Sequence, residues 1–423
     1  MKKVLLFLLV SLLLVGCMEK EEKINNPYYD ILLKTEKESF IDLVEYNRYG
    51  KHFNMKYETN IENPKLVLKN NEQDYVIPLY KEDNYYVTNE YINTGINLDS
   101  IPVGKYVVLL KETIKNDKGE DVIKYHHFKN KTTYSNMEYY TMTKKDENGE
   151  YYNNKVDFVF DNFMEYNFLK IDVERSKLPD DVYDIVLDAG HGGNDPGAVK
   201  GKAHEADYNL KYATLLKEKL ENELGLKVKM TRESDVAVKS YGNGSRTAIP
   251  YETKAKLMLS IHQNSGDKYA KGVEIYMAYG DDPHMAKKLA TNIGTRTTCS
   301  YSPNKINRVS EGVYVRVFTA DDIASSSKKA EKAGWTYYDQ KPNTTYYYFI
   351  RETGGYMTKA FVDGRNPEYD ANPYINANYG TEAYLVEMGF ITNSTNLNAL
   401  TNEQDKYLEG LFESVKYYVN YLN

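Results

Sequence analysis

Two histidines and two glutamates, spread from position 191 to position 387, share one kind of local setting. His191 closes the apolar run "DIVLDAG", and His262 closes "KLMLSIH". Both read as the carboxyl end of a strand, the edge at which open α/β sheets bind their ligands. Two histidines from separate strands would therefore meet on one rim. Glu205, in "KGKAHEADYNL", opens a helical pattern whose N-terminus reaches that rim if the glycine-rich loop folds back. A His–Glu–His set leaves the fourth tetrahedral position of Zn²⁺ to water, as in catalytic zinc sites, and zinc brings the pKa of that water to about 7. Glu387, in "AYLVEMGF", ends a further apolar strand, where a carboxylate has no folding purpose. Beside such a water it would accept the proton and return it to a leaving amine. Taken singly, each residue has an ordinary structural reading; a glutamate at a helix start, for instance, is favoured by the helix dipole.

The elements that must position these residues occupy about 181–423. The glycines of "DAGHGGNDPG" are not a phosphate loop, because the stretch lacks both a Gly-Lys-Ser/Thr and the spacing of a dinucleotide turn. "YDIVLDAG" is a continuous apolar strand, as in a sheet covered on both faces. A helix is predicted from Asp207 to Glu223, with Leu210, Ala213, Leu216, Leu220 and Leu224 on one face and Gly225 as its stop. Strands follow at "LKVKMTR", "KLMLSIH" and "GVEIYMAY", then a helix from about Pro283 to Thr297, the strand "AYLVEMG", and a last helix from about Asn402 to Leu422. Strands alternating with helices imply an α/β fold with an open, mostly parallel sheet flanked by helices. The Gly-, Asn- and Tyr-rich stretch at about 298–381 reads as an inserted subdomain.

The remainder of the chain is of other kinds. MKKVLLFLLVSLLLVGC joins two lysines to an apolar run too short to span a membrane, as in a secretory leader. Leu14-Val15-Gly16-Cys17 resembles the lipobox of bacterial lipoproteins, which implies cleavage before Cys17, lipidation of its thiol and an extracytoplasmic, membrane-anchored protein. Residues 1–17 are thus leader and lipobox cysteine, and 18–26 a polar tether. From 27 to 175, short segments such as "KLVLKN", "DYVIPLY", "GKYVVLLKETI" and "KVDFVFDN" alternate with turns at Asp117-Lys118-Gly119 and Glu147-Asn148-Gly149, which predicts an all-β domain, a sandwich, of unassigned role. His126 and His127 within it point to opposite faces of a strand and cannot share a metal there. Cys299 is the only other cysteine, so no intrachain disulfide forms in the lipidated protein. A net charge of −7 without a basic stripe argues against a nucleic-acid partner. The 42 tyrosines read as biased composition, and no substrate contact is assigned to them.

"LDAGHGGNDPGA", "HEADYNL", "MLSIHQNS" and "YLVEMGFITN", in that order over about 183–423, resemble the zinc-dependent N-acetylmuramoyl-L-alanine amidases of bacterial cell-wall turnover, type 3 catalytic domain. The resemblance implies hydrolysis of the amide between the lactyl group of N-acetylmuramic acid and the L-alanine of the stem peptide, with peptidoglycan as the partner. It puts one zinc ion on His191, Glu205 and His262 and the catalytic role on Glu387. The family position is Glu205, not the adjacent His204, whose side chain diverges by about 100° on a helix. Compact members lack the 298–381 stretch, which would act as a lid, shape a substrate groove, or elaborate the surface. Two other readings compete. One is a zinc peptidase of carboxypeptidase type, with Arg351 or Arg365 as the carboxylate clamp; the other is an inactive wall-binding lipoprotein.

Overall fold

The computed structural model describes residues 26–36, 41–129, 136–164, 166–240, 242–333, 342–354 and 379–421. The leader, Cys17, the tether up to residue 25 and Arg365 lie outside the described residues. Among the described residues no helix is long and apolar enough to cross a membrane.

After a short helix α1 (Tyr29–Leu32), the N-terminal region is built of strands: β1 (Ile41–Tyr49), β2 (His52–Glu58), β3 (Lys65–Lys69), β4 (Asp74–Ile77), β5 (Tyr80–Glu82), β6 (Tyr85–Val87), β7 (Ile96–Asn97), β8 (Gly104–Lys115), β9 (Asp121–Lys129), β10 (Met137–Tyr140), β11 (Lys144–Lys145), β12 (Tyr151–Phe163) and β13 (Tyr166–Ser176). The two turns expected from sequence close hairpins, β8 to β9 and β11 to β12, each with a glycine at positive φ, Gly119 at +79° and Gly149 at +83°. Alternate residues such as Phe53, Met55 and Tyr57 on β2 point into one aromatic-rich core with Tyr106, Leu110, Phe158 and Leu169. The two halves that a sandwich would keep apart are joined here by a short parallel pairing of β1 with β9, Ile41 with Phe128 and Asp42 with Lys129.

The C-terminal region adds β14 (Ile185–Ala189), β15 (Val199–Lys200), β16 (Ala203–His204), α2 (Glu205–Leu224), β17 (Val228–Met230), α3 (Ile249–Glu252), β18 (Leu257–Asn264), β19 (Glu274–Tyr276), α4 (His284–Gly294), β20 (Arg308–Ser310), β21 (Val313–Tyr314), α5 (Ala320–Ala333), α6 (Tyr348–Gly354), β22 (Tyr379–Gly380), β23 (Glu382–Phe390), α7 (Ser394–Asn402) and α8 (Gln404–Asn420). One sheet runs in the order β17-β14-β18-β23-β19-β21-β20. β17, β14, β18 and β23 run parallel to one another, whereas β19 runs antiparallel to β23. All five residues of β14 are buried, as a strand covered on both faces requires. Ile185 and Leu187 face Leu216 and Leu220 of α2, while Val186 faces Phe349 and Ile350 of α6.

Helix α2 ends at Gly225, left-handed at φ +68°. The last helix expected from sequence is α8, and a helix not expected, α7, precedes it. Asn393 accepts from the amides of Thr395 and Asn396 and so caps α7, an N-terminal signal that apolar periodicity does not carry. The described part of 298–381 builds onto the main sheet. β21 pairs with β19, and Phe349 and Ile350 fill the core beneath β23.

Candidate metal centre and reaction site

The site lies where β14, β18 and β23 end. The glycine-rich loop after β14 folds back through the β15–β16 hairpin, which places the first residue of α2 over the strand ends. The potential ligand atoms of His191, Glu205 and His262 all lie within 4.8 Å of one another. Glu205 Oε1 is 2.8 Å from His262 Nδ1 and 3.2 Å from His191 Nε2. The buried Glu205 carboxylate also accepts from the backbone amides of Ala198, 2.8 Å, and Gln263, 3.1 Å, so its direction is set before any ion binds. On the far side of the His191 ring, Nδ1 lies 2.7 Å from Asp195 Oδ2, a carboxylate partner of the kind that fixes the tautomer and aim of metal-bound histidines. Two imidazoles and a carboxylate converging from one side suit Zn²⁺ with an open position.

Small residues make this convergence possible. A Cβ on Gly190 would stand 2.2 Å from Nε2 of His262, and one on Gly197 would stand 2.6 Å from Oε2 of Glu205 and 2.7 Å from the His191 ring. His191 itself is left-handed, at φ +60°, a conformation that a side-chain-bearing residue adopts only at a cost. Two buried arginines offset it. Arg232 donates to the carbonyls of Ala189, Gly190 and Ala206, and Arg246 to those of Ala189 and His191. Arg246 also pairs with buried Asp188, which accepts from Thr231 and Ser260. Burial penalises the Asp188 carboxylate, but Arg246 and these hydroxyls outweigh that and hold its pKa below the usual range.

In the metal-free protein the same proximity perturbs the ligands. Burial opposes the charged form of His191, yet Glu205 and Asp195 outweigh it and raise its pKa to about 9. Burial likewise works against the Glu205 carboxylate, but the two histidines hold its pKa far below normal.

Glu387 pairs in register with His262 across β18 and β23, so its side chain rises on the same face one strand away. The residue is half-buried, but its Oε2 is closed to solvent and has no hydrogen-bond partner. Burial first, then the negative charges of Glu205 and Glu274, push its pKa well above the ordinary glutamate value. Glu274, opposite it on β19, is buried and accepts from Asn264, Tyr276 and Ser302. Tyr347, just before α6, packs its ring 4.8 Å from that of Tyr276 in this neighbourhood.

Asp188, Asp195, Arg232, Arg246 and Glu274 were not among the residues expected from sequence. Asp188 and Glu274 carried a signal, each a charge within an apolar strand. His204 lies outside the cluster, exposed and 3.6 Å from Asp207. Arg351 is buried and committed to Glu352 and the carbonyls of Thr345 and Tyr346, so it is not placed to clamp a substrate carboxylate. His126 pairs with Glu112, and His127 packs its ring edge-on against Tyr166.

Residues 185–417 match the family model described as N-acetylmuramoyl-L-alanine amidase. The chain is 29% identical over 164 residues to the uncharacterized protein YqiI of Bacillus subtilis, covering 37% of this chain and 78% of that one. It is 36% identical over 126 residues to the probable cell wall amidase LytH of Staphylococcus aureus, covering 29% of this chain but only 40% of LytH. Among solved structures, the catalytic domain of CwlV, an N-acetylmuramoyl-L-alanine amidase from Bacillus (Paenibacillus) polymyxa var. colistinus, superposes with a TM-score of 0.37 at 19% identity, over 56% of this chain and 99% of that one.

Proposed function

From the premise that this chain belongs to the N-acetylmuramoyl-L-alanine amidase family, we propose that it hydrolyses peptidoglycan between N-acetylmuramic acid and L-alanine, with one Zn²⁺ held by His191, Glu205 and His262. The observation that carries the reading is the meeting of three ligand-type side chains with Glu387 one strand away. When bound, zinc acidifies water and polarises the scissile carbonyl. The protein's own residues do the rest. Asp195 orients His191, and Ala198 and Gln263 fix Glu205.

Glu387 is the proton carrier. Its unpartnered Oε2 is available to take a proton from the attacking water and deliver it to the departing amine of L-alanine. Burial and the two nearby carboxylates favour its protonated form in the metal-free protein; a bound dication reverses the sign of that local field and permits the carboxylate. The fully committed guanidinium of Arg351 leaves the carboxypeptidase reading without support from that residue. The protein works outside the cytoplasm, tethered through a lipid on Cys17.

Glu387→Gln tests the assignment. Muropeptide products are followed by mass spectrometry, with metal content measured alongside. We expect full zinc occupancy and a rate lowered at least about 100-fold, the usual weight of a general acid–base. Wild-type turnover in the variant rules out the role. A released free amino acid in place of an exposed lactyl group rules out the bond, and a wild-type protein that clears no peptidoglycan with or without chelator leaves only a binding function.

A further inference from the structure

The role of the β-rich N-terminal region is written in how it meets the amidase region. The contact is made of buried polar groups that are complete only when both regions are present. Lys51, at the turn between β1 and β2, is wholly buried, and its ammonium donates to the carbonyls of Tyr418, 2.6 Å, and Tyr421, 2.5 Å, at the end of α8. A cation at the carbonyl end of a helix is favoured by the helix dipole. Asn93 reaches across to Glu382 Oε1, 3.2 Å, and to the carbonyl of Asp282, 3.1 Å, and accepts from the amide of Asp282 at 2.7 Å. Tyr49 donates to buried Asp281 at 3.1 Å. Met142, from the β-rich region, packs within the core of the amidase region.

Two of these contacts bear on the strand that carries Glu387, Asn93 directly on Glu382 and Lys51 through Tyr418, whose hydroxyl hydrogen-bonds Glu382. Glu382, wholly buried, is the first residue of β23. Glu387 is five residues along the same strand, about 16 Å away at the rise of an extended chain. The chain entering β23 is gripped from both sides. β1 pairs in parallel with β22, Arg48 with Tyr379 and Tyr49 with Gly380, and the amide of Gly50 donates to the carbonyl of Gly380 at 3.0 Å. On the other side the Thr381 amide donates to Thr353 in α6 at 2.7 Å, and a Cβ on Gly380 would fall 1.9 Å from the carbonyl oxygen of Gly354. The path thus runs from β1 through β22 to α6 and β23. Two of the proposed metal ligands stand elsewhere, on the loop after β14 and on α2, and His262 stands on β18, beside β23.

We infer that the β-rich region is a fixed part of the catalytic unit: through Lys51, Asn93 and the β1–β22 pairing it sets the position of β23 and therefore of Glu387, without touching the metal ligands. This rests on the amidase reading for the role of Glu387, but not for the mechanical coupling itself. Lys51 and Asn93 are positioning residues, and their effect must divide the two halves of the site.

The test uses full-length variants Lys51→Met and, as the milder change, Asn93→Ala. Displacing a reacting group by about 1 Å costs up to about 100-fold in rate. We expect kcat on a soluble muropeptide to fall about 10- to 100-fold, with KM and zinc affinity within about two-fold of wild type. Hydrogen exchange of the β22 amides and the start of β23 should quicken while β14 stays protected. Unchanged kcat with unchanged exchange in both variants overturns the inference, as does a parallel loss of kcat and zinc affinity, which would mean general loosening. A protease site placed in the connector between β13 and β14 of the full chain gives a second check. The nicked halves should co-elute; halves that separate while the rate persists also overturn it. If the wild type fails to cleave the muramyl amide, the amidase reading fails alone, and hydrogen exchange still decides the coupling.

Discussion

Gly190→Ala is the sharpest test of the metal centre, because it alters no ligand. The added methyl would lie 2.2 Å from Nε2, 2.3 Å from Cε1 and 2.7 Å from Cδ2 of His262. Ordinary contact between such atoms needs about 3.5 Å, so the ring must retreat by roughly 1 Å. Coordination distances tolerate about 0.2 Å. The backbone cannot yield instead. The Gly190 carbonyl is held by Asn209 and Arg232, and its amide by the Ile261 carbonyl. Gly190 is not at positive φ, so alanine is acceptable to the main chain itself, and the defect concentrates on the imidazole.

Loss of a partner that merely orients a ligand costs 10- to 100-fold in metal affinity. Displacing the ligand itself should cost at least the upper figure, about 2.8 kcal/mol at 1.4 kcal/mol per decade. Competition against a chelator of known affinity reads this directly, and circular dichroism and thermal melting of the metal-free protein check the fold. Gly201→Ala is the control. Gly201 is left-handed, at φ +63°, with nothing within 4 Å of a built Cβ. It should lose about 1–2 kcal/mol of stability and keep zinc. Wild-type zinc affinity in Gly190→Ala would show that His262 is not a ligand in this geometry.

Metal affinity and metal-free stability should run in opposite directions with pH. The folded pKa of His191, about 9, stands above its unfolded value of about 6.5. Its contribution to metal-free stability is therefore full below about pH 6.5 and lost as pH rises through about 9. Zinc needs the neutral ring, so its apparent affinity should climb about ten-fold per pH unit from 7 to 9 and then level off. An affinity flat over that range refutes the coupling. For the membrane anchor, a labelled fatty acid should enter the wild-type protein and be absent from Cys17→Ala, which should also leave the membrane fraction; equal labelling of the two sinks the assignment of Cys17.

The residues legible in the sequence are those whose chemistry contradicts their setting. His191, His262 and Glu387 are polar groups at the ends of apolar strands, and parallel pairing brings such ends together. Arg232 and Arg246 carried no comparable mark, and Glu274, a charge within the apolar run "GVEIYMAY", gave no sign of its partner. The arginines come from loops without periodicity and act on backbone carbonyls, which no side-chain pattern encodes. Glu274 faces Glu387 only because β19 runs antiparallel to β23, a reversal in an otherwise parallel neighbourhood that local propensity does not reveal. The short helix α7 escaped for a similar reason, its start being set by one capping side chain, Asn393. The burial of Lys51 depends on the carbonyls of Tyr418 and Tyr421, far along the chain.

The bracing of the site is divided as its chemistry is. Arg232 and Arg246 tie the loop bearing His191 to β14 and to the start of α2, and the amides of Ala198 and Gln263 tie Glu205 to that loop and to β18. None of these bonds involves β23. Glu387 depends on the pairing of β23 with β18 and β19 and on the opposite end of its strand, where Asn93 meets Glu382 and β1 meets β22. A packed strand transmits displacement along its length because interiors are close-packed and poorly compressible, so a shift at Glu382 is felt at Glu387. A small shift of β23 against β18, with which it pairs, would thus slow the proposed chemistry before it disturbed the His262 side of the site, whereas severing the His191 bracing would act on the proposed metal site first.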